Sequence, residues 1–191
     1  MPRVTTAFAA AVALLLPVRG QLLVGLTPAV GIGAGLLTTQ AAYSMSAEDW
    51  FDSGVDKAEG GNLKGAIADF TKSIQINPNY LDAYFKRGDA KEQLKDYKGA
   101  IEDYANAIEI NPNNANLYYF RGLIKSQLED YKGAIDDYTK AIEIDPLNKY
   151  FYSGRAFNTG FMGDPQGACS DWRKAADLGH AYAIKWIRNN C

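Results

Sequence analysis

The sequence predicts an all-α solenoid of four helix-turn-helix units that ends in a C-terminal capping helix. The first observation is an internal repeat: the segment Asp96–Tyr104 returns 34 residues later as Asp130–Tyr138, with eight of nine positions identical. A fixed period of this length is typical of solenoids built from helix pairs. The second observation is that prolines follow the same period, at Pro78, Pro112 and Pro146. The repeat begins near Ala47, so it leaves an N-terminal segment outside the solenoid.

That N-terminal segment, residues 1–42, is interpreted as a targeting sequence. It contains no acidic residue, and its two apolar stretches, Val4–Val18 and Leu22–Leu37, lie on either side of Arg19. Neither stretch alone reaches the roughly 20 apolar residues of a membrane-spanning helix. Arg19, the second apolar stretch and the small residues up to Ala42 have the order of a secretory signal peptide. We therefore expect a cleaved signal peptide, with a retained membrane anchor or a protein that is not exported as the alternatives.

The helices of the repeat have recognisable starts and ends. Residues that can accept a hydrogen bond from an unpaired backbone N–H fall where the second helix of each unit begins. They are Asn62, Asp96, Asp130 and Asp164. In the first three units an Asn-Pro or Asp-Pro pair closes the second helix, because proline disfavours helix in the residue before it. These signals predict nine helices and no sheet. The predicted bounds are 47–60, 63–76, 81–94, 97–110, 115–128, 131–144, 149–162, 166–177 and 181–189.

Small and aromatic residues recur in the phase of the repeat. The first aromatic position holds Trp50, Tyr84, Tyr118 and Tyr152, and the glycine position holds Gly54, Gly88 and Gly122. The alanine position holds Ala66, Ala100, Ala134 and Ala168, and the second aromatic position holds Phe70, Tyr104, Tyr138 and Trp172. From residue 47 to about residue 180 the chain therefore resembles the tetratricopeptide repeat (TPR). The resemblance implies a right-handed superhelix, a TPR domain over residues 43–191 with units at 47–80, 81–114, 115–148 and 149–180, and a cap at 181–191.

The fourth unit departs from this signature in a way that suits the end of an array. Ala156 replaces the glycine, and His180 stands where the proline is expected. The segment after His180 has apolar residues beside charged ones, and we expect it to cover the exposed edge of the fourth unit as a solvating cap. Its apolar residues are Ala181, Ile184, Trp186 and Ile187.

Two cysteines flank the turn before the cap. Cys169 and Cys191 lie roughly ten and twelve residues on either side of Gly179, so an antiparallel hairpin brings them together. If the chain is exported, we expect a disulfide that stabilises the fold by roughly 3 kcal/mol on the loop-entropy model. The alternative is one buried thiol and one thiol at a frayed terminus.

Charge and residue types limit the partners and the chemistry. Because Arg3 and Arg19 are the charged residues among the first 42, the remainder has 18 of the 20 basic and all 22 acidic residues, a net charge of −4. That balance argues against nucleic acid or anionic lipid as a partner, and leaves residues 1–42 as the membrane contact. One histidine and two cysteines are too few for a zinc site made of these residues. Without a phosphate-binding loop or a catalytic motif, we expect no cofactor, no metal and no catalysis.

The resemblance also indicates where a ligand binds. In such solenoids the first helices of successive units line a groove that receives a peptide or a helix. The residues expected in this groove are Phe51, Val55, Phe85, Asp89, Tyr119, Leu123 and Phe157. Their aromatic character favours an apolar peptide or helix as the ligand. The alternative is that Phe85, Tyr119 and Phe157 pack against neighbouring units.

Arginine and aspartate recur in phase as well. Arg87, Arg121 and Arg155 fall on first helices, and Asp69, Asp103, Asp137 and Asp171 fall on second helices. We interpret the two series as Arg–Asp pairs that join helices, with an anion-binding row as the alternative.

Together these features predict a non-catalytic adaptor or assembly factor that binds a protein or peptide. The signal-like segment places it outside the cytoplasm, in a periplasm or, in a photosynthetic source, a thylakoid lumen. The competing hypothesis is a self-assembling scaffold or homo-oligomer, because an open solenoid has two ends at which copies can meet.

Overall fold

In the computed structural model, which describes residues 45–191, the chain folds into nine consecutive α-helices. They are α1 Ala47–Glu59, α2 Leu63–Ile76, α3 Leu81–Gln93, α4 Tyr97–Ile110, α5 Ala115–Gln127, α6 Tyr131–Ile144, α7 Lys149–Phe161, α8 Pro165–Asp177 and α9 Ala181–Asn190. This part of the chain contains no strand. The order of the helices confirms the predicted all-α solenoid of helix pairs. The signal or anchor segment predicted at residues 1–42 lies outside the described residues.

The predicted helix bounds are wrong by one residue at several ends. The helices α1, α3, α5 and α7 each end one residue early, because a turn with a left-handed residue follows at once. At the start of α8, Pro165 is already helical, since proline lacks only an N–H that is unpaired at the first helical position. At the C-terminus, α9 extends to Asn190. None of helices α1 to α9 is long and apolar enough to cross a membrane.

Each helix packs chiefly against the helices next to it in sequence. In addition, α1 contacts α3 and α5 contacts α7, so the first helices lie side by side in each of these two pairs of units. We call the surface formed by α1, α3, α5 and α7 the first-helix wall. The second helices α2, α4, α6 and α8 pack behind it.

The aromatic residues of the signature fill the space between the two helices of a unit. The rings of Phe70, Tyr104 and Tyr138 are buried. A Cβ added at Gly88 would lie 3.0 Å from the Tyr104 ring, and one at Gly54 would lie 2.5 Å from the Phe70 ring. The glycine position is therefore small because the aromatic ring of the same unit occupies the place of a side chain.

The predicted caps of the second helices are confirmed. Each side chain accepts a hydrogen bond from the backbone N–H of a glycine three residues on, as Asp96 does from Gly99 at 3.1 Å. The other pairs are Asn62 with Gly65, Asp130 with Gly133 and Asp164 with Gly167. His180, which replaces the expected proline, caps α9, because its Nδ1 accepts from the backbone N–H of Ala183 at 3.2 Å.

Helix α9 covers the edge of the fourth unit with part of its predicted apolar face. Ala183, Trp186 and Ile187 pack on the cluster around Trp172, and the two indole rings lie 5.0 Å apart. Two residues expected on this face, Ala181 and Ile184, are exposed instead. The helical angle explains the correction: with Ala183 at the centre of the contact, residues 186 and 187 follow on the same face, whereas 181 and 184 turn outward.

The two cysteines lie where the sequence predicts them, on α8 and at the end of α9. Their sulfur atoms are joined, and their Cα atoms are 5.8 Å apart. That distance is common for bonded cysteines. Whether the bond forms in the cell stays a prediction, because it depends on the compartment.

Candidate functional site

The in-phase arginines and aspartates form ion pairs within each unit. Arg121 donates two hydrogen bonds to Asp137, from Nε at 2.9 Å and from Nη2 at 2.6 Å, and Lys125 adds a third cationic contact at 2.8 Å. Arg87 and Lys91 hold Asp103 in the same way. Arg155 holds Asp171. Because the guanidinium groups are already used by buried carboxylates, the row is structural and offers little to an external anion.

The first unit satisfies its aspartate differently, because Ser53 stands where the later units have arginine. Ser53 and Lys57 both donate to the Asp69 carboxylate. Burial alone would raise the pKa of Asp69, but the hydrogen bonds from Lys57 and Ser53 outweigh it and lower the pKa below its ordinary value. The Asp series is therefore complete even where the Arg series is not.

At the N-terminal end of the first-helix wall, the predicted groove aromatics pack against other rings. Phe51 lies 5.0 Å from Tyr80 and 5.7 Å from Phe70, measured between ring centroids. Phe85 lies 5.2 Å from Phe120 and 5.8 Å from Tyr104. These rings are half-buried, as is Tyr119, whose ring lies within 6.0 Å of the rings of Phe120, Tyr138 and Phe151, so the packing alternative describes both Phe85 and Tyr119. Val55 and Asp89 are half-buried on α1 and α3 of the same wall.

At the C-terminal end the wall opens into a pocket of about 300 Å³ between α5 and α7. Three of the predicted groove residues meet there: Tyr119 and Leu123 from α5, and Phe157 from α7. Tyr150 also lies on α7, whereas Tyr138 and Trp172 reach the pocket from the second helices α6 and α8. The structure thus brings together the third-unit and fourth-unit residues of the predicted set, and it leaves Phe51, Val55, Phe85 and Asp89 outside this pocket.

Gly154 distinguishes the junction of the third and fourth units from the junction before it. In the third unit Phe120 packs against Phe85 and Tyr104 and fills the space between the second and third units. One repeat later the same position is Gly154. Gly154 lines the pocket, and a Cβ there would lie 2.7 Å from the Tyr138 ring, so this ring leaves no room for a side chain. The phenylalanine of the earlier junction therefore has no counterpart at the pocket.

A buried asparagine lies at this pocket that the sequence-based prediction missed. Asn158 is 1% exposed, and its amide nitrogen donates to the backbone oxygen of Gly154 at 2.8 Å. Its Oδ1 has no hydrogen-bond partner within residues 45–191. The corresponding residues of the second and third units are Ala90 and Ile124, both buried. In the first unit this position holds Asp56, which is exposed, so the signal that could have found Asn158 was a polar residue after two apolar ones, Ala90 and Ile124.

Exposed aromatic rings continue outward from the pocket. Phe157 is 51% exposed and lies 4.8 Å from Phe161, which is 59% exposed. Phe161 in turn stacks on Tyr131 at 5.0 Å. We call Tyr131, Phe157 and Phe161 the aromatic patch. Large apolar side chains that stay exposed together are typical of protein-interaction sites.

Acidic residues lie farther along the same wall, on α3. Burial raises the pKa of Glu92, and the nearby charge of Asp89 raises it further, although a hydrogen bond from the Tyr104 hydroxyl at 3.4 Å acts in the opposite direction.

Across residues 45–191, no three His, Cys, Asp or Glu side chains are grouped as a metal site would require.

Two known protein families match the repeat region of the chain. The family described as "Tetratricopeptide repeat" matches residues 81–114 and 115–148, and the family described as "TPR repeat" matches residues 56–95. A comparison with curated protein sequences found no match.

Solved structures of MamA have a similar fold. One crystal structure of MamA superposes with a TM-score of 0.68 at 24% sequence identity, over 72% of this chain and 81% of that chain. A second superposes at 0.70 and 22% identity, over 74% and 78% of the two chains. MamA from residue 41 to its end, from Desulfovibrio magneticus RS-1, gives 0.65 at 24% identity, over 70% and 75%. At this level of identity the similarity shows the fold alone.

Proposed function

Because the chain belongs to the tetratricopeptide repeat family, we propose that it is an adaptor or assembly factor that holds a segment of a partner protein on its first-helix wall. Protein interaction or scaffolding is the general role that this family and fold support. The finer proposal is that the partner contributes an apolar peptide or helix, and that it binds at the C-terminal end of the wall.

The observation that carries this proposal is the pocket between α5 and α7 together with the aromatic patch. Tyr119, Leu123 and Phe157 line the pocket, and Phe157 continues into the patch. Aromatic side chains carry much of the binding energy at protein interfaces, because they bury a large area at a small cost in side-chain entropy. At the corresponding junction of the second and third units, Phe120 packs against Phe85 and Tyr104.

The composition of the pocket supports binding rather than catalysis. Its lining includes one histidine and no carboxylate or cysteine. Nδ1 of that histidine, His180, accepts the backbone hydrogen bond that caps α9. A converging acid, base or nucleophile is what an active site requires, and the lining supplies no such set.

Site-specific photo-crosslinking tests the proposal. The full chain with Phe157→p-benzoylphenylalanine is expressed in the source cells, beside a control with the same substitution at Tyr182, an exposed aromatic residue on α9. We expect crosslinks to a partner at position 157 and not at 182, and we expect Tyr119→Ala to remove them while the helical circular dichroism is kept. The same crosslinks at both positions would refute a site at the pocket.

A second candidate function is self-assembly, which one further observation favours. Leu94, Leu128 and Met162 occupy the same repeat position after successive first helices, and all three are exposed. A row of apolar side chains on one edge is a surface at which two copies can pair. Light scattering over a range of protein concentrations tests this candidate: mass should rise with concentration, and Leu128→Lys should prevent the rise.

We also propose that the protein works outside the cytoplasm. The proposal is supported by the signal-like order of residues 1–42 and by two cysteines at bonding distance, since disulfides persist in oxidising compartments. N-terminal sequencing of the protein from its source cell should find a mature chain that starts near residue 42. A chain that starts at residue 1 and fractionates with soluble cytoplasmic proteins would refute the proposal.

A further inference from the structure

We propose that the pocket between α5 and α7 binds the cationic side chain of a lysine or arginine from the partner protein. This inference rests on the proposed function: the partner's peptide or helix is apolar where it packs on the aromatic patch, and the one residue of it that enters the pocket is cationic. It is carried by three features: the unpaired oxygen of Asn158, the aromatic lining, and the charge of the wall.

The unpaired oxygen of Asn158 favours a ligand group that donates a hydrogen bond. Its amide nitrogen already donates to the Gly154 backbone oxygen, which fixes the orientation of the side chain. The remaining group, Oδ1, is an acceptor without a partner in the described part of the chain. A buried acceptor is strongly favoured to find a donor. A purely apolar side chain in the pocket leaves Oδ1 unpaired, whereas an ammonium or guanidinium group supplies the missing N–H.

The aromatic lining selects a cation among the possible donors. Tyr119, Tyr150, Phe157 and Trp172 line the pocket together, and a cation is attracted to the face of each such ring. Aromatic rings around a single cationic group form a recurring type of binding site. At the rim, the Lys149 ammonium lies 5.5 Å from the centroid of the Tyr150 ring.

The charge around the pocket disfavours an anionic ligand. No lysine or arginine is among the lining residues, and one N–H of the Asn158 amide already donates to Gly154. On the same wall, Asp89 and Glu92 of α3 lie one unit away. Residues 43–191 carry 18 basic and 22 acidic residues, so the net charge also attracts a basic segment.

The test compares two small probes of nearly equal shape, n-butylguanidinium and its neutral analogue n-butylurea. The full chain is labelled with 5-fluorotryptophan, and ¹⁹F NMR follows its three tryptophans. Trp172 lines the pocket and Trp186 packs against it, whereas Trp50 lies on α1 and serves as the internal control. We expect a saturable shift of the Trp172 signal with a dissociation constant at least about tenfold lower for the cation.

The variant Asn158→Ile separates binding from folding. Isoleucine is the residue at this position in the third unit, where Ile124 is buried, so the variant should fold. We expect it to lose the preference for the cation, and we expect Asn106→Ile, on α4 outside the pocket, to keep it. A second variant, Phe157→Leu, keeps an apolar side chain without a ring and should weaken the cation several-fold.

Two outcomes would overturn the inference. Equal affinity for the two probes would show that the pocket does not select charge, and no shift of Trp172 with either probe would show that no side chain of this kind enters. Neither outcome changes the result expected from crosslinking at position 157. Failure of this inference can therefore be distinguished from failure of the proposed function.

Discussion

At the scale of single residues, the buried aspartates of the second helices are under the strongest constraint. The Asp103 and Asp137 side chains are 1% and 4% exposed, and each contacts an arginine and a lysine of the preceding helix. Removing one partner of such a set leaves a charge that is buried and uncompensated, which costs more than the pair contributes. The ion pairs therefore set which helices must lie together.

The substitution Asp137→Asn should lower the free energy of unfolding by about 2–4 kcal/mol, because it leaves Arg121 and Lys125 without their carboxylate. Its neighbour Asp136 is exposed and offers a matched control, since Asp136→Asn should change stability by no more than about 0.5 kcal/mol. Urea unfolding of the two variants measures the difference. Equal losses of stability in the two variants would show that the buried ion pair contributes no more than an exposed aspartate.

A second residue-scale prediction concerns the pH dependence of Glu92. Burial, and then the charge of Asp89, raise the pKa of Glu92 in the folded protein above its ordinary value of 4.5. Ionised Glu92 therefore destabilises the fold at neutral pH, and this effect is absent below pH 4.5, where the group is protonated in both states. Glu92→Gln should raise the melting temperature at pH 7 and leave it nearly unchanged at pH 3. A gain of the same size at both pH values would contradict this account.

At the scale of secondary-structure elements, the turns inside the units contain a backbone strain that follows the repeat. The residue before each cap has a positive φ: 79° at Gly61, 63° at Lys95, 62° at Glu129 and 82° at Gly163. In this region a residue with a Cβ costs roughly 1–2 kcal/mol. The first and fourth units have glycine at this position, whereas Lys95 and Glu129 in the second and third units are strained.

Lys95→Gly should therefore raise the free energy of unfolding by about 0.5–1 kcal/mol, which is the relieved strain less the extra chain entropy of glycine. The reverse change, Gly163→Ala, should lower stability by about 1 kcal/mol. Chemical unfolding of both variants, with Lys98→Gly as the control for glycine in the helix that follows, separates the turn from the helix. Destabilisation by Lys95→Gly would show that the lysine side chain makes a contact that outweighs the strain.

At the scale of the whole molecule, stability is spread along the array, since each unit contacts chiefly its neighbours. Helix α9 covers the fourth unit by packing Trp186 on Trp172. In the structure a bond between Cys169 and Cys191 joins the segment after α9 to α8. Trp172 and His180, which contact this part of the fold, also line the pocket.

The double variant Cys169→Ser, Cys191→Ser should lower the free energy of unfolding by about 3 kcal/mol relative to the oxidised protein, because the closed loop restricts the unfolded chain. Under a reducing agent the parent and the variant should unfold alike. Counting free thiols in the protein from its source compartment checks the premise. Two free thiols there, with equal stability of parent and variant, would show that the bond is not used.

The sequence alone determined the repeat, its helices, their caps and the ion pairs between helices. The caps at Asp96 and Asp130, and the pairing of Arg121 with Asp137, follow from residues a few positions apart or in the same phase of a 34-residue period. Such contacts recur with the period of the repeat, so their spacing can be detected in the sequence. The resemblance to the tetratricopeptide repeat predicted a binding surface on the first helices without ranking its residues.

Only the tertiary structure decided which part of that wall is open. Phe85 and Tyr119 are both half-buried among aromatic rings, whereas Phe157 is 51% exposed and lines the pocket together with Tyr119. Likewise, the unpaired oxygen of Asn158 becomes apparent only when every neighbour is in position. Exposure depends on what adjoining units bring to a junction, and that is a property of packing rather than of the repeat.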